Sequence, residues 1–149
     1  MTTKEPFDLD APIVPGEAAA GVRVGDEARD IVESTGLPLL EDPPDRMRVY
    51  TFGSVLLWVK GARVQQIGVV QRYRGRIQDK IGLGSTIAEV ESALGTVIED
   101  DEDYLVVPAV PGWSFETEQW SSDDELQQNR FARIQGIYVF GGARPEHAH

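Results

Sequence analysis

Gly21-Val22-Arg23-Val24-Gly25-Asp26 runs into Ile31-Val32 and stops at Gly36, and fifty-nine residues on Lys80-Ile81-Gly82-Leu83-Gly84-Ser85 runs into Val90 and Leu94 and stops at Gly95. The pairs Val22/Ile81, Val24/Leu83, Gly25/Gly84, Asp26/Ser85, Asp30/Glu89, Ile31/Val90 and Gly36/Gly95 all keep that offset. A second match follows in the same order. Arg63-Val64-Gln65-Gln66-Ile67-Gly68-Val69 is echoed by Arg133-Ile134-Gln135-Gly136-Ile137-Tyr138-Val139 at an offset of 70. The later stretch therefore holds 11 more residues between helix and last strand, the difference between 70 and 59. Self-similarity in one order is the mark of a repeated structural unit.

Each half has a physical reading. Asp26 and Ser85 suit the N-cap, where a side-chain oxygen accepts from the free amides of a starting helix. Ala28, Ile31 and Val32, and then Ile87, Val90 and Leu94, recur at helical spacing and give each helix one apolar stripe. Gly36 and Gly95 suit the left-handed position that ends a helix, and Pro38 bars continuation of the first. Strands are predicted at 49–52, 55–59 and 64–70, the first two joined through Gly53-Ser54 as a two-residue hairpin turn. Their counterparts are 104–107, 113–117 and 134–140. The fold class these signals predict is α+β. Two tandem helix-plus-three-strand units, residues 20–72 and 79–140, form antiparallel sheet with the helices on one face and a pseudo-twofold relation. The whole chain, 1–149, is expected as a single domain, with an extended N-terminal arm over 1–19 and a flexible tail over 141–149. Ser122-Asp123-Asp124-Glu125 reads as a capping box opening a short extra helix in the insertion.

Composition narrows the chemistry. The 149 residues contain no cysteine, which excludes disulfides, thiolate catalysis and cysteine-ligated metals. Hydrophobic residues make up 41% and charged ones 26%, a globular balance. Twenty-five acids against 14 bases leave a net charge of −11, a surface that repels nucleic acid and anionic lipid and attracts basic partners. Acidity for solubility alone is the plain alternative. The opening Met1-Thr2-Thr3-Lys4-Glu5-Pro6-Phe7 lacks the build of a signal peptide, and no apolar run spans a membrane, so a cytoplasmic protein is expected.

The only histidines, His147 and His149, stand in the terminal tail, so no catalytic residue, metal site or cofactor is expected. Gly82-Leu83-Gly84-Ser85-Thr86 resembles part of a phosphate-cradling loop, but it lacks the third glycine of a dinucleotide fingerprint and the Gly-Lys of a P-loop. The matching place in the first stretch carries an acid, Asp26, where phosphate would sit, so a strand-to-helix turn is the expected reading. Glu99, Asp100, Asp101, Glu102 and Asp103 are five consecutive acids. They form a solvated loop, a docking patch for a basic partner, or (lacking the glycine of a calcium loop) a weak metal candidate. Trp58 and Trp113 lie in predicted strands and are assigned to the core. Trp120, between Glu118 and the acids Asp123, Asp124 and Glu125, is either core or an aromatic interface anchor.

The segment Ile13-Val14-Pro15-Gly16-Glu17-Ala18-Ala19-Ala20-Gly21-Val22-Arg23-Val24-Gly25 resembles the opening of immunity proteins encoded beside Rhs-type and type VI secretion toxins. The helix–glycine–strands unit is also similar to small outer-membrane assembly lipoproteins, although the lipid-attachment cysteine and signal peptide are absent. The first resemblance implies a non-enzymatic protein that binds one cognate toxin domain and occludes its active site. Its interface is then expected on Glu99–Asp103, Trp120 and Asp123–Glu125, with Glu41, Asp42 and Asp45 as the alternative loop. Two rival functions stay open: a carboxylate-only metal-dependent hydrolase and a self-associating structural module.

Overall fold

The computed structural model describes residues 7–35, 46–99, 104–118 and 130–141. Among the described residues nine strands and two helices follow one another. They are β1 (Ala18–Ala19), β2 (Val22–Arg23), α1 (Ala28–Ser34), β3 (Arg48–Phe52), β4 (Val55–Lys60), β5 (Arg63–Val70), α2 (Ile87–Leu94), β6 (Ile98–Glu99), β7 (Leu105–Val106), β8 (Trp113–Thr117) and β9 (Ile134–Phe140). β1 and β2 form a small ribbon, and the other seven strands form one antiparallel sheet in the order β3-β4-β5-β9-β8-β7-β6.

Local chemistry explains the strands. Val55-Leu56-Leu57-Trp58-Val59-Lys60 alternates strictly in burial, with Val55, Leu57 and Val59 inside. Side chains two apart share a face, so this alternation commits one face of β4 to the core. Phe52 pairs with Val55 across Gly53-Ser54, and Gly53 has φ +68°. A positive φ at the first central residue alone has the sign pattern of a type II′ turn, whose twist matches the strands. In register across the sheet, Leu57, Ile67, Val139 and Trp113 make one apolar row, and Val55, Val69, Ile137, Phe115 and Leu105 make the next. Ala28 and Val32 of α1 and Ile87, Val90 and Leu94 of α2 join these rows in a single buried cluster.

The expected pair of matching helix-plus-three-strand units with a pseudo-twofold relation is overturned. The protein is mostly β, and the two helices among the described residues have only 7 and 8 residues. A fourth strand, β6, pairs with β7 in the second half, and all seven strands belong to one continuous sheet joined between β5 and β9. A sequence offset records which motif follows which. It carries no information on which strand a segment pairs with, and β6 and β7 are too short to show alternation.

The matched motifs do encode a local junction. The Gly25 N–H donates to the Val64 carbonyl (2.7 Å), the Val64 N–H to Asp26 (3.0 Å), and the Arg63 guanidinium to the Gly25 carbonyl (3.0 Å). The later junction repeats it. The Gly84 N–H donates to Ile134 (2.9 Å), the Ile134 N–H to Ser85 (2.8 Å), and Arg133 to the Gly84 carbonyl (2.8 Å).

The caps fall one residue later than expected. Asp26 Oδ2 accepts from the Arg23 N–H (3.0 Å) and Ser85 Oγ from the Gly82 N–H (3.1 Å), so both oxygens close the preceding turn. Thr86 caps α2 in a reciprocal box with Glu89, while Glu27 at the start of α1 makes no side-chain cap. Backbone hydrogen bonding to Thr86 holds the Glu89 carboxyl below its ordinary range. Gly95 ends α2 at φ +123°, ψ 179°, a region open to glycine but not the left-handed helical one expected. Gly36 and Pro38 lie outside the described residues.

Residues 7–19, expected as an extended arm, lie against the domain. Phe7 and Ile13 are buried, and Phe7 packs on Phe52 with ring centroids 5.0 Å apart. The Ile13 N–H donates to Arg76 (3.0 Å) and the Arg74 N–H to Leu9 (2.8 Å). The chain passes so close at Gly75 that a Cβ there would stand 1.9 Å from the Ala11 carbonyl oxygen.

Candidate functional site

The same alternation that fills the core sends a second set of side chains to the outer face of the sheet. Leu56 on β4 stands opposite Gly68 on β5, which stands opposite Tyr138 on β9, and Tyr138 opposite Ser114 on β8. One step along, Val70, Gly136 and Glu116 form the next row. Two of these positions are glycines, and their bare backbone makes a trough. A Cβ on Gly68 would come within 3.0 Å of the Trp58 and Tyr138 rings. A Cβ on Gly136 would come within 2.9 Å of the Tyr138 hydroxyl and Glu116 Oε1.

Tyr138 therefore lies along the sheet, and its hydroxyl donates to Glu116 Oε1 at 2.6 Å. Trp58 and Tyr104 meet its ring edge-to-face, with centroids 5.8 Å and 5.4 Å away and interplanar angles of 85° and 89°. Such T-shaped pairs set the positive ring edge against the negative face. Burial first, and the Glu116 carboxylate second, push the Tyr138 phenol far above its ordinary pKa. Both disfavour phenolate, so Tyr138 is a fixed donor near neutral pH and no proton shuttle.

Beside Glu116 the sheet opens into a groove of about 780 Å³ where β5 ends and β9 begins. Val70, Leu83 and Ile134 give it an apolar lining, Arg72 and Arg74 a cationic side, and Glu116 an anionic one. Two irregularities of backbone shape it. Glu116 pairs with Gly136 but Thr117 with Ile134, which leaves Gln135 as the extra residue of a β-bulge. Gln71 has φ +55°, a left-handed conformation that costs a non-glycine residue roughly 1 kcal/mol. Arg74 is engaged with Asp10 through two bonds of 2.6 and 2.9 Å, and that pairing holds the exposed Asp10 carboxyl below its ordinary range. The exposed Arg72 guanidinium has no hydrogen-bond or ion-pair partner among the described residues. Behind the groove, buried Tyr73 donates to the Ala11 carbonyl and accepts from the Ala20 N–H (2.8 Å), and burial raises its pKa.

The residues singled out from the sequence fare differently. Glu99 sits on β6 opposite Leu105. Asp100, Asp101, Glu102 and Asp103 fall between β6 and β7, and Trp120, Asp123, Asp124 and Glu125 between β8 and β9; all lie outside the described residues. So do the Ser122 capping box, Glu41, Asp42, Asp45, His147 and His149. Trp113 is core, but Trp58, assigned to the core with it, is half-buried on the outer face. Val55, Leu57 and Val59 take the inner face of β4, and the period of two sends Trp58 out.

The glycine-rich turn at 82–86 offers phosphate little. The Gly84 N–H donates to Ile134, Ile87 to Ala132 (3.2 Å) and Ala88 to Arg130 (3.0 Å), so protein oxygens already occupy these donors. Among the described residues no three acids or histidines gather as a metal site, and no helix is long and apolar enough to cross a membrane.

Arg72, Arg74, Glu116 and Tyr138 were not singled out from the sequence. The available signal was Arg72-Tyr73-Arg74-Gly75-Arg76, three alternating arginines in an acidic chain.

No known protein-family model and no curated protein sequence matches this chain. Among solved structures, the chain is similar to a cysteine-rich secretory protein from Staphylococcus aureus subsp. aureus Mu50, with 11% identity and a TM-score of 0.44. The match covers 92% of this chain and 48% of that one, so the chain spans about half the length of that protein.

Proposed function

We propose that this is a non-catalytic partner-binding protein of the immunity type, which meets a basic secreted toxin domain in the cytoplasm and covers its active site. The outer sheet face carries this reading. Leu56, Trp58, Val70, Tyr104 and Val106 stand half-buried around Tyr138, on a chain of net charge −11. Aromatic side chains held on a rigid sheet offer large contact area with little side-chain entropy left to lose. They are the residue types that dominate binding energy at interfaces. A lysine or arginine of the partner can lie on the Trp58 ring, a cation–π contact that strengthens as water is excluded. The surplus of acids, including Glu99–Asp103 and Asp123–Glu125, steers a basic partner during encounter.

Co-expression and binding kinetics with the toxin domain encoded by the adjacent gene test the reading. Trp58→Ala is expected to speed dissociation by tenfold or more, a loss of about 1.4 kcal/mol. Neutralising Asp100, Asp101, Asp123 and Asp124 together is expected to slow association and flatten its salt dependence. If Trp58→Ala dissociates like the parent, the sheet face is not the interface. If the adjacent toxin domain neither binds nor loses activity, the immunity reading fails.

A further inference from the structure

The groove beside Glu116 has a charge pattern that none of the preceding roles uses. Arg74 is neutralised by its two-bond pairing with Asp10, which leaves Arg72 as the cationic group without a partner among the described residues. Glu116 spends one oxygen on the Tyr138 hydroxyl, and its Oε2 makes no hydrogen bond among the described residues. The groove thus presents one positive and one negative group, with Val70, Leu83 and Ile134 supplying apolar lining. The Tyr138 bond also holds Glu116 in one orientation, so the carboxylate is positioned before a ligand arrives. Gln71 and Gln135, the left-handed residue and the bulged one, flank the site. Strained and bulged backbone of this kind is maintained where it aims side chains at a site.

We propose that this groove binds a small zwitterion, its anionic group on Arg72, its ammonium group on Glu116 Oε2 and its aliphatic stretch across Val70, Leu83 and Ile134. The charge pattern selects this class. A dianion meets the Glu116 carboxylate, a dication meets the Arg72 guanidinium, and a neutral apolar molecule leaves both polar groups without partners on desolvation. The reading stands independently of the partner-binding function, since the ligand is a free small molecule and the test needs no second protein.

The experiment is an NMR titration of the isotopically labelled full chain with ω-amino acids from 4-aminobutanoate to 8-aminooctanoate, alongside hexanoate and hexylamine. Saturable shifts are expected at the amides of Leu83, Ile134 and Gln135. One chain length should be preferred, and hexanoate and hexylamine should each bind at least about tenfold more weakly than the best zwitterion, the loss of one charge contact. Arg72→Ala and Glu116→Gln are each expected to weaken that zwitterion about tenfold or more. Glutamine keeps an acceptor for Tyr138, so unchanged Tyr138 signals in Glu116→Gln show the fold intact. The proposal is overturned if no chain length gives saturable shifts at the groove, if hexanoate or hexylamine binds as tightly as the zwitterion, or if either variant binds like the parent.

Discussion

The two faces of the sheet are cut from the same strands, yet they are built on opposite rules. On the inner face every position is filled. Val55, Leu57, Ile67, Val69, Ile137, Val139, Trp113 and Phe115 are buried, in rows that continue from strand to strand. On the outer face two positions are left empty, Gly68 and Gly136, and the space goes to one tyrosine laid flat and one carboxylate held by it. Filling maximises burial and makes each side chain replaceable only at the cost of a cavity. Emptying gives up burial and yields a shaped, partly polar surface whose contacts are few and specific. The contrast separates residues kept for stability from residues free to serve recognition.

Four substitutions probe this contrast, and their expected costs descend. Ile137→Ala on the inner face leaves a cavity in a fully packed row and is expected to cost about 3 kcal/mol, read from denaturant midpoints at constant slope. A cost below about 1 kcal/mol would mean the inner face is as adaptable as the outer one. Gly136→Ala on the outer face drives a methyl into the Tyr138 hydroxyl and Glu116 Oε1. Both groups are side-chain ends that can swing away, so the expected loss is that of their hydrogen bond, about 1–2 kcal/mol.

Tyr138→Phe removes only the hydroxyl and is expected to cost about 1 kcal/mol near neutral pH. Its signature is alkaline. The folded phenol holds its proton above the value of an unfolded tyrosine, about 10, so its stabilisation is whole below that pH and is lost as pH rises beyond it. Denaturation midpoints of the parent should fall from about pH 10 upward. Those of Tyr138→Phe should fall less steeply, with the buried Tyr73 supplying the remaining slope. Equal slopes would remove Tyr138 from the alkaline transition. Glu116→Gln keeps an acceptor for the tyrosine, and its effect on stability is expected to stay within about 0.5 kcal/mol. A larger loss would make the carboxylate structural and weaken its assignment to recognition.

Much of the local structure was legible in the sequence. The alternation in Val55–Lys60, the Gly53-Ser54 turn and the stripe Ile87, Val90, Leu94 each carry a periodicity strong enough to place an element. The way those elements combine was not. Two-residue strands such as Ile98–Glu99 and Leu105–Val106 show no period at all, and the antiparallel partnership of β5 with β9 is a long-range choice that no local pattern encodes. The outer face was hidden for a related reason. Alternation divides Leu57 from Trp58 but does not say which side is the core. Gly68 and Gly136 read as weak strand residues until Tyr138 is seen lying across them. The groove escaped because Arg72, Glu116 and Gln135 come from three separate stretches that only the fold brings together.

The position of β9 in the sheet has a consequence for how the chain is made. β3 to β5 form one meander and β6 to β8 another, and among the described strands the two touch in the sheet only through β9, which follows all of them in the chain. Until Ile134–Phe140 emerge, β5 waits with an unpaired edge that includes Ile67 and Val69 while the residues from 71 to 133 are translated. An open hydrophobic edge of this kind invites pairing with the same strand of a neighbouring nascent chain. Polysomes densely loaded with this message would bring such edges together, and slower initiation rather than slower elongation is the change that would keep them apart.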